Sequence, residues 1–149
     1  MAEPRSRLAP APNPPTVGET PWIESLDVDA FRVPTDAPES DGTLEWHSTT
    51  LVLVRAHSAG QSGMGIGYAD RASASLAREV LAPLVEGGDA LSPASHRSVM
   101  LRAVRNMGRA GIAAMAIATV DNALWDLKAR LLGLSLDMLL GAVRESVPV

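Results

Sequence analysis

Alternating apolar and polar positions predict three β-strands in the first half of the chain. In the first strand Leu26, Val28 and Ala30 share one face, and Pro34 is expected to end it. Gly60 suits the hairpin turn before the third strand, because glycine tolerates a positive φ. The predicted strands are Trp22–Pro34, Leu44–Ala56 and Ser62–Tyr68. Three consecutive strands joined by short connections favour an antiparallel meander.

Apolar residues spaced three and four apart predict helices through the second half of the chain. Asp70 can cap the first helix and Pro83 is expected to stop it, while Ser92 can cap the second and Gly108 end it. The predicted segments are Arg71–Ala82, a helix beginning at Ser92-Pro93, Ile112–Leu132, and Leu136–Leu140 capped by Ser135. A strand meander followed by a helical bundle is an α+β fold.

Glycines at every second position of the third strand invite two interpretations. A dinucleotide-binding fingerprint needs Gly-x-Gly-x-x-Gly, whereas Gly63, Gly65 and Gly67 are followed by Tyr68, and no second parallel strand comes after. A bare glycine face is more typical of a strand against which another backbone packs closely. The sequence therefore favours close packing over nucleotide binding.

Four carboxylates lie in or just after the connection between the first two strands, which spans Thr35–Thr43. Its Asp, Pro, Ser and Gly residues are turn formers, so a solvated loop is expected. A cation site is the alternative, but the fixed ligand spacing of a calcium loop is absent. The acidic residues are Asp36, Glu39, Asp41 and Glu45. The histidines share no ligand spacing, so each is expected at the surface or hydrogen-bonded: His47, His57 and His96.

The alanine-rich third helix contains a carboxylate, Asp121, that is expected to be buried. Alanines allow close approach of neighbouring elements, and a buried carboxylate needs partners, so we predict a structural hydrogen-bond acceptor. Trp125 lies one turn later on the same side, and truncating a buried ring costs about 3–5 kcal/mol. Asp126 stands four residues before Arg130, which favours a surface ion pair.

Composition narrows the possible functions. A formal charge of −4 gives no basic field for nucleic acid, and the absence of cysteine excludes disulfides and thiolate chemistry. The sequence contains no run of about 18 apolar residues, so no membrane-spanning helix is predicted. Six prolines in residues 1–21 predict a disordered tail, which lacks the apolar core of a secretory signal. We therefore expect a cytoplasmic protein.

Several segments, in this order, resemble the N-terminal capping domain of the mandelate racemase and muconate lactonizing branch of the enolase superfamily. Residues 49–54 are similar to its second strand, and Gly63–Tyr68 to its third strand and second capping loop. Asp121, Ala123, Trp125 and Asp126 match a helix motif of Asp, any residue, Ala, any residue, Trp, Asp. The pattern Leu139-Leu140-Gly141 followed by Val147-Pro148-Val149 is similar to the step into the first barrel strand. Ser135 departs from the proline found in many members.

The resemblance implies a capping domain over residues 22–141, with the start of a barrel at 142–149 and the rest of that barrel absent. Family members remove a proton next to a carboxylate with lysine or histidine bases and Mg²⁺, all held on barrel strands. No catalytic residue and no metal ligand is therefore expected here; Lys128 is the only lysine. This chain alone is predicted to be inactive. The residues expected in the capping loops are Thr35, Asp36, Glu39, Asp41, Trp46 and Tyr68.

For a full-length parent, the resemblance implies a racemase, cycloisomerase or acid-sugar dehydratase that binds Mg²⁺ and a small carboxylate or acid sugar. It also implies a homo-oligomer that binds neither nucleic acid nor membrane. Two alternatives stay open at this point. One is a small non-catalytic α+β binding or interaction module, and the other is a truncated product without function. The residues do not distinguish among the three enzyme classes.

Overall fold

The computed structural model describes residues 20–144 and 146, and within them the predicted meander is confirmed. Strands β1 (Ser25–Ser40), β2 (Glu45–Ser58) and β3 (Gln61–Tyr68) form one antiparallel sheet in the order β1-β2-β3. Ala59 (φ 47°) and Gly60 (φ 72°) make the two-residue turn between β2 and β3. Two successive positive φ angles match the right-handed twist of the flanking strands. The proposed tail at 1–21 and the chain end at 147–149 lie almost wholly outside the described residues.

Strand β1 is longer than predicted, and Pro34 does not end it. Pro34 pairs with Ser48, and pairing resumes at Glu39 opposite Trp46 after a shift in register. Proline is tolerated there because β1 is an edge strand, so the missing N–H removes little from the ladder. The segment predicted as the loop Thr35–Thr43 is therefore mostly part of a β-hairpin, with its turn at residues 41–44.

The helices follow the sheet. They are α1 (Arg71–Leu76), a π-helical turn (Ala77–Leu81), α2 (Ala82–Val85), α3 (Pro93–Ala103), α4 (Ala114–Leu131) and α5 (Leu136–Leu140). Pro83 lies inside the first helical run rather than stopping it. The π turn immediately before Pro83 widens the backbone where the proline ring would otherwise meet the carbonyl of Glu79. None of the helices within residues 20–144 is both long and apolar enough to span a bilayer.

The predicted helix ends are only partly confirmed. Asp70 caps α1 through a bond from the backbone N–H of Ala72 (2.9 Å). Ser92 and Ser135 make no capping bond, and the hydroxyl of Ser92 instead donates to Asp89 (2.7 Å). Helix α3 ends before Gly108 because the chain turns at Val104. Helix α4 begins two residues later than predicted, after a kink at Ala110 and Gly111.

The core lies between the helices and one face of the sheet, here called the inner face. Helix α4 packs on β3 so closely that a Cβ added at Gly63 would lie 2.5 Å from the Cα of Leu127, and one at Gly65 would lie 2.7 Å from the backbone N of Ala123. This confirms the close-packed interpretation of the glycine face. The buried residues that fill the core include Leu26, Val28, Val52, Val54, Ala56, Leu81, Met100, Leu124 and Leu127.

Candidate functional site

The hairpin that joins β1 to β2 contains an irregular segment. Between the pairs Pro34–Ser48 and Glu39–Trp46, residues 35–38 of β1 stand opposite the single residue His47 of β2. A bulge of this kind bends the strand and re-aims its side chains. Asp36 is exposed in the bulge, whereas the hydroxyl of Thr35 is buried without a hydrogen-bond partner among the described residues.

The end of the hairpin beyond the bulge is held by its own acidic side chains. Trp46 donates its indole N–H to the carboxylate of Glu39 (2.8 Å). Asp41 accepts bonds from the hydroxyl (2.6 Å) and backbone N–H (2.9 Å) of Thr43 and from the backbone N–H of Leu44 (3.0 Å). These bonds, that of the Thr43 hydroxyl first, lower the pKa of Asp41. The two carboxylates therefore order the hairpin.

A metal site has no geometric support in the part of the chain that the structure describes. No three histidine, aspartate or glutamate side chains gather there closely enough to hold an ion. The acidic residues that lie close together in the sequence do not converge on one point, because Glu39 and Asp41 each bond to a different partner within the hairpin. These residues do not fit a Mg²⁺ site, and no chemical step is assigned to them.

Tyr68 ends β3 near the same end of the sheet as the bulge. It pairs with Leu51, three residues along β2 from Ser48, which corresponds to about 10 Å of strand. Its side chain is 74% exposed. Strand alternation places Tyr68 and Leu51 on the face opposite Val52, whereas Trp46 shares the parity of Val52. Tyr68 and the hairpin thus lie at the same end of the sheet, although Tyr68 and Trp46 belong to opposite faces. That Tyr68 and the hairpin line one cavity stays a prediction.

A cavity that the sequence did not predict lies between α1 with its π turn and the connector 107–113. It has a volume of about 650 Å³, and most of the residues that line it are apolar, including Leu76, Val80, Met107 and Ile112. Ser75 and Glu79 are the polar residues of the lining. It lies near the hairpin end of the sheet, because α1 follows β3 directly and α4 starts there and runs back along β3. The paired Gly108 and Gly111 were the available sequence signal, since their positive φ angles (82° and 80°) shape the connector.

Asp121 is not the satisfied hydrogen-bond acceptor that the sequence predicts. Its side chain is only 17% exposed, and one of its carboxylate oxygens is buried without a partner among the described residues. The guanidinium of Arg97 lies 3.8 Å from the other oxygen, beyond hydrogen-bond distance. Burial raises the pKa of Asp121, and the charge of Arg97 opposes that shift. The ionised form of Asp121 is therefore destabilised by its surroundings.

Asp126 provides the anchoring that was expected of Asp121. Its carboxylate accepts a bond from the backbone N–H of Met64 in β3 (2.8 Å) and another from Arg130 (2.9 Å). The pair with Arg130 confirms the sequence prediction, whereas the bond to β3 was missed because it joins residues 62 positions apart. Asp126 thus ties α4 to the unpaired edge of the sheet.

The three histidines are confirmed as surface or hydrogen-bonded groups. His57 contacts the carboxylate of Asp27 (3.0 Å), and the exposed His47 lies 3.6 Å from Glu45. The buried His96 ring donates to the backbone carbonyl of Asp89 (2.8 Å). None of these contacts brings two histidines together, so they form no ligand set within the described residues.

The Asp121→Asn variant is expected to be more stable than the unchanged chain at pH 7 and no more stable near pH 3. Because burial raises the pKa of Asp121, its carboxyl group binds a proton more tightly in the folded protein than in the unfolded chain. Protonation of Asp121 therefore stabilises the folded state at pH values below the ordinary carboxyl pKa of 3.8. This stabilisation is lost as the pH rises through the higher pKa of the folded protein. Removing the buried charge should recover about 1 kcal/mol, or about 3 °C in Tm, at pH 7.

Thermal unfolding followed by circular dichroism at pH 7 and pH 3 measures this effect. Asp36→Asn is the matched control, because it removes the same charge from the exposed bulge. A lower Tm for Asp121→Asn at pH 7 would show that attraction to Arg97 outweighs the cost of burial, contrary to the expectation.

Comparison with known proteins gives a consistent result. Residues 27–141 match the model of the mandelate racemase/muconate lactonizing enzyme N-terminal domain. A mandelate racemase/muconate lactonizing enzyme-like protein from Rubrobacter xylanophilus superposes with a TM-score of 0.78 at 53% identity, over 80% of this chain and 33% of that one. L-talarate dehydratase from Polaromonas sp. JS666, crystallised with Mg and L-glucarate, gives 0.77 at 31% identity, over 86% and 37%.

Chloromuconate cycloisomerase from Cupriavidus pinatubonensis is 36% identical over 138 residues, which are 85% of this chain and 36% of that protein. This chain therefore spans little more than a third of the length of each of these relatives.

Proposed function

The chain belongs to the mandelate racemase/muconate lactonizing enzyme family, and we propose that it is the capping domain of a Mg²⁺-dependent enzyme that acts on small carboxylates or acid sugars. The observation that carries the proposal is the β1–β2 hairpin. Its end is held by hydrogen bonds of Glu39 and Asp41, and its bulge at residues 35–38 carries the polar residues Thr35 and Asp36. Polar groups on a rigid support are the usual construction of a specificity loop.

The hairpin supports substrate selection through its bulge rather than through its tip. The side chains of Glu39 and Asp41 are engaged in internal hydrogen bonds, which leaves the bulge residues Thr35 and Asp36 and the exposed Tyr68 to meet a ligand. The Thr35 hydroxyl has no hydrogen-bond partner among the described residues, and it would bond to a ligand only after the bulge moves to expose it. Closure over a substrate would also exclude water from the reacting centre.

The reaction itself is assigned to a longer protein, in keeping with the length of the relatives. One relative was crystallised with Mg and L-glucarate and another is a chloromuconate cycloisomerase, so acid sugars and unsaturated carboxylates are the substrate classes that we propose. Mg²⁺ would be held by residues outside the described set. The choice among racemase, cycloisomerase and dehydratase is left open. A cytoplasmic location and a homo-oligomeric state stay predictions.

Exchanging the capping elements is expected to change which substrate is preferred. Residues 35–46 and Tyr68 would replace their counterparts in the Polaromonas L-talarate dehydratase, and kcat/KM would be measured for L-talarate and for a second acid sugar. We expect the ratio of the two kcat/KM values to shift at least about tenfold, the effect of one hydrogen bond gained or lost in the transition state.

The control exchange transplants the turn at Ala59-Gly60, which lies at the opposite end of the sheet, and should leave the ratio unchanged. An unchanged ratio in the hairpin exchange, with turnover intact, would mean that these residues only connect strands. The chain would then fit better a non-catalytic interaction module.

A further inference from the structure

A second cavity lies between α3 and the first half of α4, and none of its residues belongs to the hairpin. Its volume is about 220 Å³. Three charged residues line it, namely Arg97 in α3, Arg109 in the connector that leads into α4, and Asp121 in α4. The cavity therefore brings both signs of charge to one small volume.

The carboxylate of Asp121 lacks hydrogen bonds although a cation is near. Its Oδ1 atom is buried without a partner among the described residues. Its Oδ2 atom lies 3.8 Å from Nε of Arg97, beyond hydrogen-bond distance. Because Oδ1 has no exposed surface, Oδ2 is the oxygen that this carboxylate can offer to a bound molecule. A donor that carries a positive charge would make the strongest bond to it.

Positive charge exceeds negative charge around the cavity. Residues 90–120 include four arginines and no acidic residue, although the whole chain has a net charge of −4. Arg97 and Arg109 thus face a single carboxylate in the lining, that of Asp121. A guanidinium group binds a carboxylate well because its N–H donors match the two oxygens. Arg109 also lies just before the start of α4, where the helix dipole favours a negative group.

Apolar residues separate the two charged ends of the cavity. Ala114, at the start of α4, and Asp121 are seven residues apart, which corresponds to about 10 Å along the helix axis. The apolar lining consists of Leu101, Ala114, Ile117 and Ala118. A ligand that reaches both ends therefore needs a spacer, and methylene groups suit this lining.

We propose that the cavity binds a small zwitterion, an ω-amino acid whose ammonium group bonds to Oδ2 of Asp121 and whose carboxylate bonds to Arg109. Each end of such a ligand meets a group of the opposite charge. A plain anion would instead lie close to the carboxylate of Asp121, and a plain cation would lie close to two guanidinium groups. The proposal does not depend on the capping function, because it uses other residues.

A titration of the isotope-labelled 149-residue chain, followed by the NMR signals of its backbone amides at pH 7, tests the proposal. The probe is γ-aminobutyrate, and its single-charge analogues are butyrate and butylammonium. We expect γ-aminobutyrate to shift signals of α3 and α4 and to bind at least about tenfold more tightly than either analogue, since each lacks one charge-assisted hydrogen bond. Absence of binding, or equal binding of butyrate, would overturn the proposal.

Variants identify the two ends of the site. Asp121→Asn and Arg109→Gln should each weaken γ-aminobutyrate binding at least about tenfold. Arg102→Gln is the matched control, because Arg102 is an exposed arginine of α3 that does not line the cavity. Loss of binding in Asp121→Asn would not reflect unfolding, because this variant is expected to be the more stable one at pH 7. An equal loss in Arg102→Gln would contradict the proposal and indicate general attraction to the arginine-rich segment.

Discussion

The Gly65→Ala variant is expected to lose about 3 kcal/mol or more of unfolding free energy. An alanine Cβ at this position would lie well inside van der Waals contact of the carbonyl oxygen of Thr119 and 2.7 Å from the backbone N of Ala123. Both are main-chain atoms of α4, so no side-chain rotation can relieve the overlap. The helix must move off the sheet, and overpacking of this kind costs 1–3 kcal/mol and occasionally more.

Urea unfolding measures this cost, and Gly42→Ala is the control. Gly42 lies in the hairpin turn with open space around its Cα, although its φ of +86° disfavours other residues. The control should lose only about 1–2 kcal/mol, the cost of a left-handed conformation. If Gly65→Ala lost no more than Gly42→Ala, the contact between α4 and β3 would be looser than the structure shows.

The Leu124→Ala variant is expected to lose about 3–4 kcal/mol, and Trp125→Ala, one position later, only about 1–2 kcal/mol. Leu124 is fully buried in the core, so its truncation leaves a cavity there. Trp125 is half-buried and lies beneath the ammonium group of Lys128, 5.2 Å from the ring centroid. The larger loss expected from the sequence for a buried tryptophan does not apply, because part of this ring is already in contact with water.

The test is whether Leu124→Ala loses more unfolding free energy than Trp125→Ala. Both variants would be unfolded in urea at the same pH, with the slope of free energy against urea concentration compared to detect changes in the unfolded state. Lys128→Ala, made in the chain that keeps Trp125, would show how much of the Trp125 contribution comes from the cation–π contact. Such a contact is worth about 0.5–1 kcal/mol at an exposed site. A greater loss for Trp125→Ala than for Leu124→Ala would contradict the packing described for α4.

Local patterns predicted the type and order of the elements better than their ends. The hairpin turn at Ala59-Gly60 and the cap at Asp70 were predictable because each depends on residues only a few positions apart. The end of β1 was not, because Pro34 is tolerated only on an edge strand, and which strand lies at the edge is a property of the whole sheet. The continuation of α1 through Pro83 similarly depends on a π turn that no propensity indicates.

The candidate site divides in the same way. The sequence indicated a polar segment between the first two strands, and its capping role stays a prediction. It did not show that Glu39 would bond to Trp46, nor that a bulge would set Thr35 and Asp36 apart from the hairpin tip. It missed the cavity beside α1, because the walls come from segments about 30 residues apart. It also assigned to Asp121 the satisfied acceptor role that Asp126 fills, because the position of β3 relative to α4 decides which carboxylate meets a free N–H.

The sequence by itself determined the α+β class, the strand order, the glycine face and the family, since each of these depends on spacing along the chain. Only the tertiary structure decided which carboxylate anchors the helix and which has a buried oxygen without a hydrogen-bond partner among the described residues. It also decided that both faces of the sheet would be apolar while helices cover only one of them. The physical reason is that burial and hydrogen bonding are properties of neighbours in space. Here those neighbours come from segments that the chain separates by tens of residues.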